Sequence, residues 1–209
     1  MSNKVTGEDV RRILHKYLPE AAIEICFNWI QHYRIRVRIT HRRENILGDY
    51  RSPQDGNNHT ITINHDLNPY AFLITFTHEV AHLVCFTKYR LSVEPHGEEW
   101  KTEYRNLLAG LIHRNIFPED IHAALLRCLK NPPATSCGDI HLAKTLSKYN
   151  THDDGYVHLD ELPYGSTFRL RNGKIFTKGE KLRKNHVCFA ASDNAKYIFH
   201  PLVEVKYLG

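Results

Sequence analysis

The sequence predicts an α+β protein: N-terminal helices, a small three-stranded sheet and a long apolar helix, then further helices and a small C-terminal β-rich module. Three observations carry this. Helical spacing of apolar residues governs most of residues 6–31 and 70–148. Between residues 33 and 63 the period shortens to two. After an Asn-, Asp-, Pro- and Gly-containing stretch at 150–165, the pattern is strand-like to the end. The shift at 150 predicts two parts, residues 1–149 and 150–209.

The elements follow in order. Thr6 can cap a first helix, with Asp9 three residues on in a capping-box arrangement. Pro19 punctuates and can open a second helix that runs to about residue 31. Tyr33, Ile35, Val37 and Ile39 then alternate with Arg34, Arg36, Arg38 and Thr40, a half-buried strand with one arginine-rich face. Residues 46–51 and 60–63 read as two more strands around a loop at 52–58. Residues 70–87 are apolar nearly all round, the mark of a buried helix. Helices are expected over 97–113, from Pro118 to the Asn131-Pro132-Pro133 stop, and from Asp139 to about residue 148. Residues 150–165 read as a linker. Beyond it, Asn172-Gly173 predicts a two-residue type I′ hairpin, with further strands near 187–189, 197–199 and 203–207.

Composition narrows the classes of function. The chain has 209 residues, ordinary globular proportions and a formal charge of +5. Its five cysteines, at positions 26, 85, 128, 137 and 188, are odd in number and dispersed, so a disulfide scaffold is not expected and a reducing cytosol fits. No uninterrupted apolar run approaches about 18 residues, so no transmembrane helix is expected. The first residues lack the apolar core of a signal peptide. A cytoplasmic protein is the expectation. The unusual number is fifteen histidines.

Two of these, His78 and His82, sit inside the apolar helix in the string His78-Glu79-Val80-Ala81-His82. Histidines at i and i+4 lie on one helix face, near enough to hold one metal ion, with the glutamate beside them. Two imidazoles and a carboxylate in an apolar helix cost several kcal/mol unless partnered, and a metal is a partner. One zinc ion suits neutral imidazoles, with three protein ligands and an open position in catalytic sites. The third ligand is expected from His96, in Pro95-His96-Gly97 just ahead of the next helix; Glu98, Glu99 and Glu103 are alternatives. Glu79 is then expected as general base. A second oxyanion donor stays open among Tyr89, Arg90 and Tyr104.

His78-Glu79-Val80-Ala81-His82, followed by Pro95-His96-Gly97 and Trp100, resembles the SprT-like metalloprotease family, which includes bacterial SprT proteins and eukaryotic Spartan proteases. The resemblance spans roughly residues 5–115, and Pro95 stands where the family has a first Gly. It implies a zincin-like metalloprotease core and a zinc metallopeptidase that hydrolyses proteins, with His78, His82 and His96 on zinc and Glu79 catalytic. It further implies action on DNA-associated proteins, in DNA–protein crosslink repair or a stress response, near the nucleoid. Many members end in a zinc ribbon with paired CxxC motifs; this chain has none, and Cys137 and Cys188 are too few for a four-cysteine site.

Two basic segments bear on the DNA expectation. Arg34, Arg36 and Arg38 lie in the first. Arg169, Arg171, Lys174, Lys178, Lys181, Arg183 and Lys184 lie in the second. With aromatics among them, such strands can follow a phosphate backbone. The alternative reading is a nucleic-acid-binding or transcription-associated regulator with a mainly structural zinc site.

Overall fold

A computed structural model describes residues 6–43, 46–53, 58–130, 132–133, 139–150 and 155–209. The chain divides into two compact units, residues 1–150 and 151–209.

In the first unit, helix α1 (Gly7–Leu14) starts at the expected capping box: the Thr6 side chain accepts from the Asp9 N–H, and the Asp9 carboxylate accepts from the Thr6 N–H. A 3₁₀ turn (Glu20–Ala22) runs into α2 (Ile23–His32), which buries Ile23, Cys26, Phe27 and Ile30. Arg34 adopts a left-handed φ of 50° after the helix closes, so strand β1 begins at Ile35, two residues later than its alternation suggests (Ile35–Thr40). Strands β2 (Gly48–Arg51) and β3 (His59–Asn64) complete a sheet of order β1-β3-β2. β1 runs parallel to β3 and β2 antiparallel to it, which leaves β2 at an edge. Ile61 and Ile63 are fully buried, whereas Thr60 and Thr62 alternate to the other face.

The central helix is α3 (Pro69–Tyr89). Asn68 caps it, accepting from the Ala71 N–H at 3.0 Å, and Pro69 occupies the first turn where no N–H is needed. Asn68 also donates to the Leu146 carbonyl at 2.8 Å, tying the helix start to the end of the unit. Side chains from Ala71 to Cys85 are buried on nearly every face, which explains the absence of a polar stripe. Although no uninterrupted apolar run is long enough, α3 as a whole is apolar and long enough to cross a membrane, alone in this among the described residues. Here it is covered by protein. α4 (Glu98–Ile112) lies along it and contributes Trp100, Tyr104, Leu108 and Leu111 to one core. α5 (Glu119–Cys128) and α6 (Ile140–Ser147, capped by Asp139) pack behind.

The second unit is a six-stranded antiparallel sheet of order β4-β9-β5-β6-β7-β8, with β4 (Tyr156–His158), β5 (Thr167–Arg169), β6 (Ile175–Lys181), β7 (His186–Ala190), β8 (Lys196–Phe199) and β9 (Glu204–Tyr207). Its core is small: Leu159, Leu162, Phe168, Phe176, Cys188, Ala190 and Val205. The stretch read as a linker contains β4 and a 3₁₀ turn (Leu159–Glu161), because β4 finds its partner in β9, almost fifty residues on. The expected two-residue I′ hairpin is instead a three-residue loop. The Gly173 N–H donates to the Leu170 carbonyl, only Gly173 is left-handed (φ 86°), and Leu170 and Lys174 close the loop. That is a type I turn ending in a left-handed glycine. β6 extends to Lys181 through a polar stretch. There Gly179 gives room to Phe189 and the Val187 carbonyl, each 3.0 Å from where a Cβ would sit.

Candidate metal centre

One turn of α3 carries His78 and His82 on the same face. The chain returns after the helix through a tight turn in which the Gly97 N–H donates to the Glu94 carbonyl at 2.9 Å. A side chain at 97 would meet that carbonyl oxygen at 3.0 Å, so the turn needs glycine. His96 sits in this turn at a left-handed φ of 60°, a strained setting for a histidine. It delivers the third imidazole.

The three Nε2 atoms converge: His78 to His82 is 3.2 Å, His82 to His96 2.9 Å, and His96 to His78 3.3 Å. An imidazole nitrogen offers one in-plane position, a proton or a lone pair, so a triangle of three such atoms cannot be three hydrogen bonds. A cation accepting three lone pairs satisfies all of them. Tetrahedral zinc with Zn–N of 2.0–2.1 Å sets ligand nitrogens about 3.3 Å apart, and the observed spacings fit. The lone pairs are free, because burial and mutual repulsion push His78 down to about 2 and His82 to about 4, and burial lowers His96 as well. Among the described residues this is the one group of three or more such side chains able to hold a metal ion.

Trp100 forms the floor. It is 1% exposed, lies 4.6–5.2 Å from all three histidine rings and stacks on Tyr104 at 4.9 Å. This explains why an aromatic three residues into α4 belongs to the site. Tyr104 itself lies against His78, 5.5 Å between rings. Of the alternative third ligands, Glu103 is buried in an ion pair with Lys88 at 2.7 Å, and Glu98 is exposed and paired with Lys101. His96 is the residue that joins the cluster.

Glu79 is 5% exposed. Burial first, then the nearby Asp49 carboxylate, raises its pKa to about 8; Arg43 and the Tyr50 backbone amide act in the opposite sense. These neighbours were not legible as site residues. The one available signal was a glycine inside a strand, Gly48, which marks close approach of another group.

The basic residues separate. Arg36 and Arg38 are exposed on the sheet face shared with Thr60 and Thr62, their partners in register. Arg38, Arg43, Asp49, Arg51, Thr60 and Thr62 line a cavity of about 400 Å³ there. Arg34 is exposed just before β1. In the second unit Arg169, Lys174, Arg183 and Lys184 are exposed. Lys178 is not at the surface: it is 6% exposed, and its ammonium donates to the carbonyls of Leu159, Asp160 and Leu162. Lys181 pairs with Asp160, and Arg171 with Glu204 while lying over Tyr156. Cys188 is fully buried in the apolar core; Cys137 lies outside the described residues.

A buried helix bearing two histidines one turn apart, joined by a third from the next helix start, defines a three-histidine metal-binding domain of metallopeptidase-like type. Residues 16–116, just under half of the chain, match the model of the SprT-like family. No curated protein and no solved structure matches the chain.

Proposed function

We propose that this protein is a zinc-dependent metallopeptidase of SprT-like type. The observation that carries the reading is the convergence of the His78, His82 and His96 Nε2 atoms with a buried glutamate on the same helical turn. A zinc ion held there supplies Lewis acidity: it acidifies water from about 15.7 to about 7 and polarises a peptide carbonyl. The chain's own part is proton movement and exclusion of water. Glu79 takes the proton from the attacking water and passes it to the leaving amine. Trp100 and Tyr104 wall the histidines off from solvent on one side.

A purely structural zinc site has no use for a buried glutamate beside its ligands and usually closes its fourth position with protein. The experiment is metal analysis with a peptidase assay on wild type and Glu79→Gln. The variant should keep zinc and lose hydrolysis; cleavage at the wild-type rate would sink the mechanism. We further propose that the substrates are proteins bound to DNA. The exposed Arg36 and Arg38 beside Thr60 and Thr62, and the exposed cations of the second unit, support this.

A further inference from the structure

We propose that edge strand β2 positions the Glu79 carboxylate, with Gly48 vacating the space Glu79 occupies. This inference rests on the metallopeptidase reading above. Gly48 does not have a left-handed φ, so its backbone does not demand glycine. Its missing side chain is used for proximity instead. A Cβ there would lie 2.7 Å from Thr75 Cγ2 and 3.1 Å from both Glu79 Cγ and Glu79 Oε1. Thr75 and Glu79 are one turn apart on α3, 0% and 5% exposed, so neither can swing into solvent to make room.

Two residues on, the Tyr50 backbone amide favours the charged form of the same carboxylate. β2 is the outer strand of the β1-β3-β2 sheet among the described residues. The strand is itself anchored. Asn64, 1% exposed at the end of β3, donates to the carbonyls of Arg43 and Ile46 at 3.1 and 3.0 Å, accepts from Arg43 Nε at 2.9 Å, and its N–H donates to the Leu47 carbonyl at 2.9 Å. Arg43 also pairs with Asp49, between the two residues that meet Glu79. The chain entering β2 is therefore held on both sides of the point where it touches the glutamate.

The test separates positioning from packing. Gly48→Ala meets both Thr75 and Glu79; Thr75→Ser removes the methyl nearest the added Cβ and keeps the hydroxyl. In Gly48→Ala/Thr75→Ser the tighter overlap is relieved while the Glu79 contact remains. At saturating zinc we expect kcat to fall at least about tenfold, KM and zinc affinity to stay within about twofold, and Thr75→Ser alone to behave as wild type. The second readout needs no zinc: the carboxyl ¹³C resonance of Glu79, assigned by its disappearance in Glu79→Gln, should shift in the metal-free double variant. A wild-type kcat or an unmoved resonance in the double variant overturns the inference. Glu79→Gln serves as the control on the underlying reading. If it hydrolyses like wild type, the metallopeptidase assignment fails; if it is inactive while the double variant is unimpaired, only the positioning role fails.

Discussion

Glu79→Gln should make the zinc-free protein more stable, and by an amount that depends on pH. Burial and Asp49 raise the Glu79 pKa from 4.5 to about 8, while an unfolded chain leaves it near 4.5. The folded state thus binds the proton more tightly, and stability falls as pH rises from about 4.5 to about 8. At 1.36 kcal/mol per unit, the accumulated cost of holding Glu79 is about 3 kcal/mol at pH 7 and about 1 kcal/mol at pH 5. Glutamine does not titrate and carries none of it. The rest of the protein is common to both, so its contribution largely cancels in the comparison. The advantage of the variant should therefore shrink by about 2 kcal/mol between pH 7 and pH 5. Urea unfolding in the presence of a chelator, followed by tryptophan emission, measures it, because Trp100 lies in the first unit's core cluster and Trp29 packs against it. A variant less stable than wild type at pH 7, or an advantage that does not change with pH, would refute the reasoning.

Three further outcomes can be checked. His96→Ala should weaken zinc binding by at least about tenfold in competition with a chelating dye, since it removes one of three ligands; an unchanged affinity rejects His96 as a ligand. Lys178→Met should leave the Leu159, Asp160 and Leu162 carbonyls without their donor, costing about 2–4 kcal/mol, and should speed amide exchange around residues 159–162; unchanged exchange there would contradict the assignment. If the sheet face holds DNA phosphates, the triple variant Arg36→Ala/Arg38→Ala/Arg51→Ala should flatten the dependence of log affinity on log salt by about 2 to 3, and an unaltered slope would exclude that face.

The metal centre was legible because its geometry is local. A repeat of four matches the helix, so His78, Glu79 and His82 could be placed together from spacing alone, and His96 needed only one turn of chain to return. The surroundings of Glu79 were not legible, because Gly48 and Tyr50 meet it through sheet pairing across some thirty residues, and nothing in either residue's neighbourhood states its partner. The same reason hid β4, whose short polar sequence becomes a strand only against β9. The N-cap at Thr6, by contrast, was read directly, because both partners lie within one turn.

Lys178 and Glu79 show how two ionisable residues hidden by the same kind of non-local packing come to differ. Each is nearly inaccessible. Lys178 stands in a run, Thr177 to Lys181, whose polarity suggested solvent, yet three backbone carbonyls surround its ammonium; the charge is compensated and its role is to hold the 3₁₀ turn to β6. Among the described residues Glu79 has the Tyr50 backbone amide and Arg43 set against burial and a neighbouring carboxylate, so its charged form remains disfavoured. A fold selected for stability alone would complete the shell around Glu79 as it does around Lys178, or replace the residue. The incomplete shell is the condition in which a carboxyl exchanges a proton near neutral pH, and it sits one residue from His78 of the three-histidine cluster.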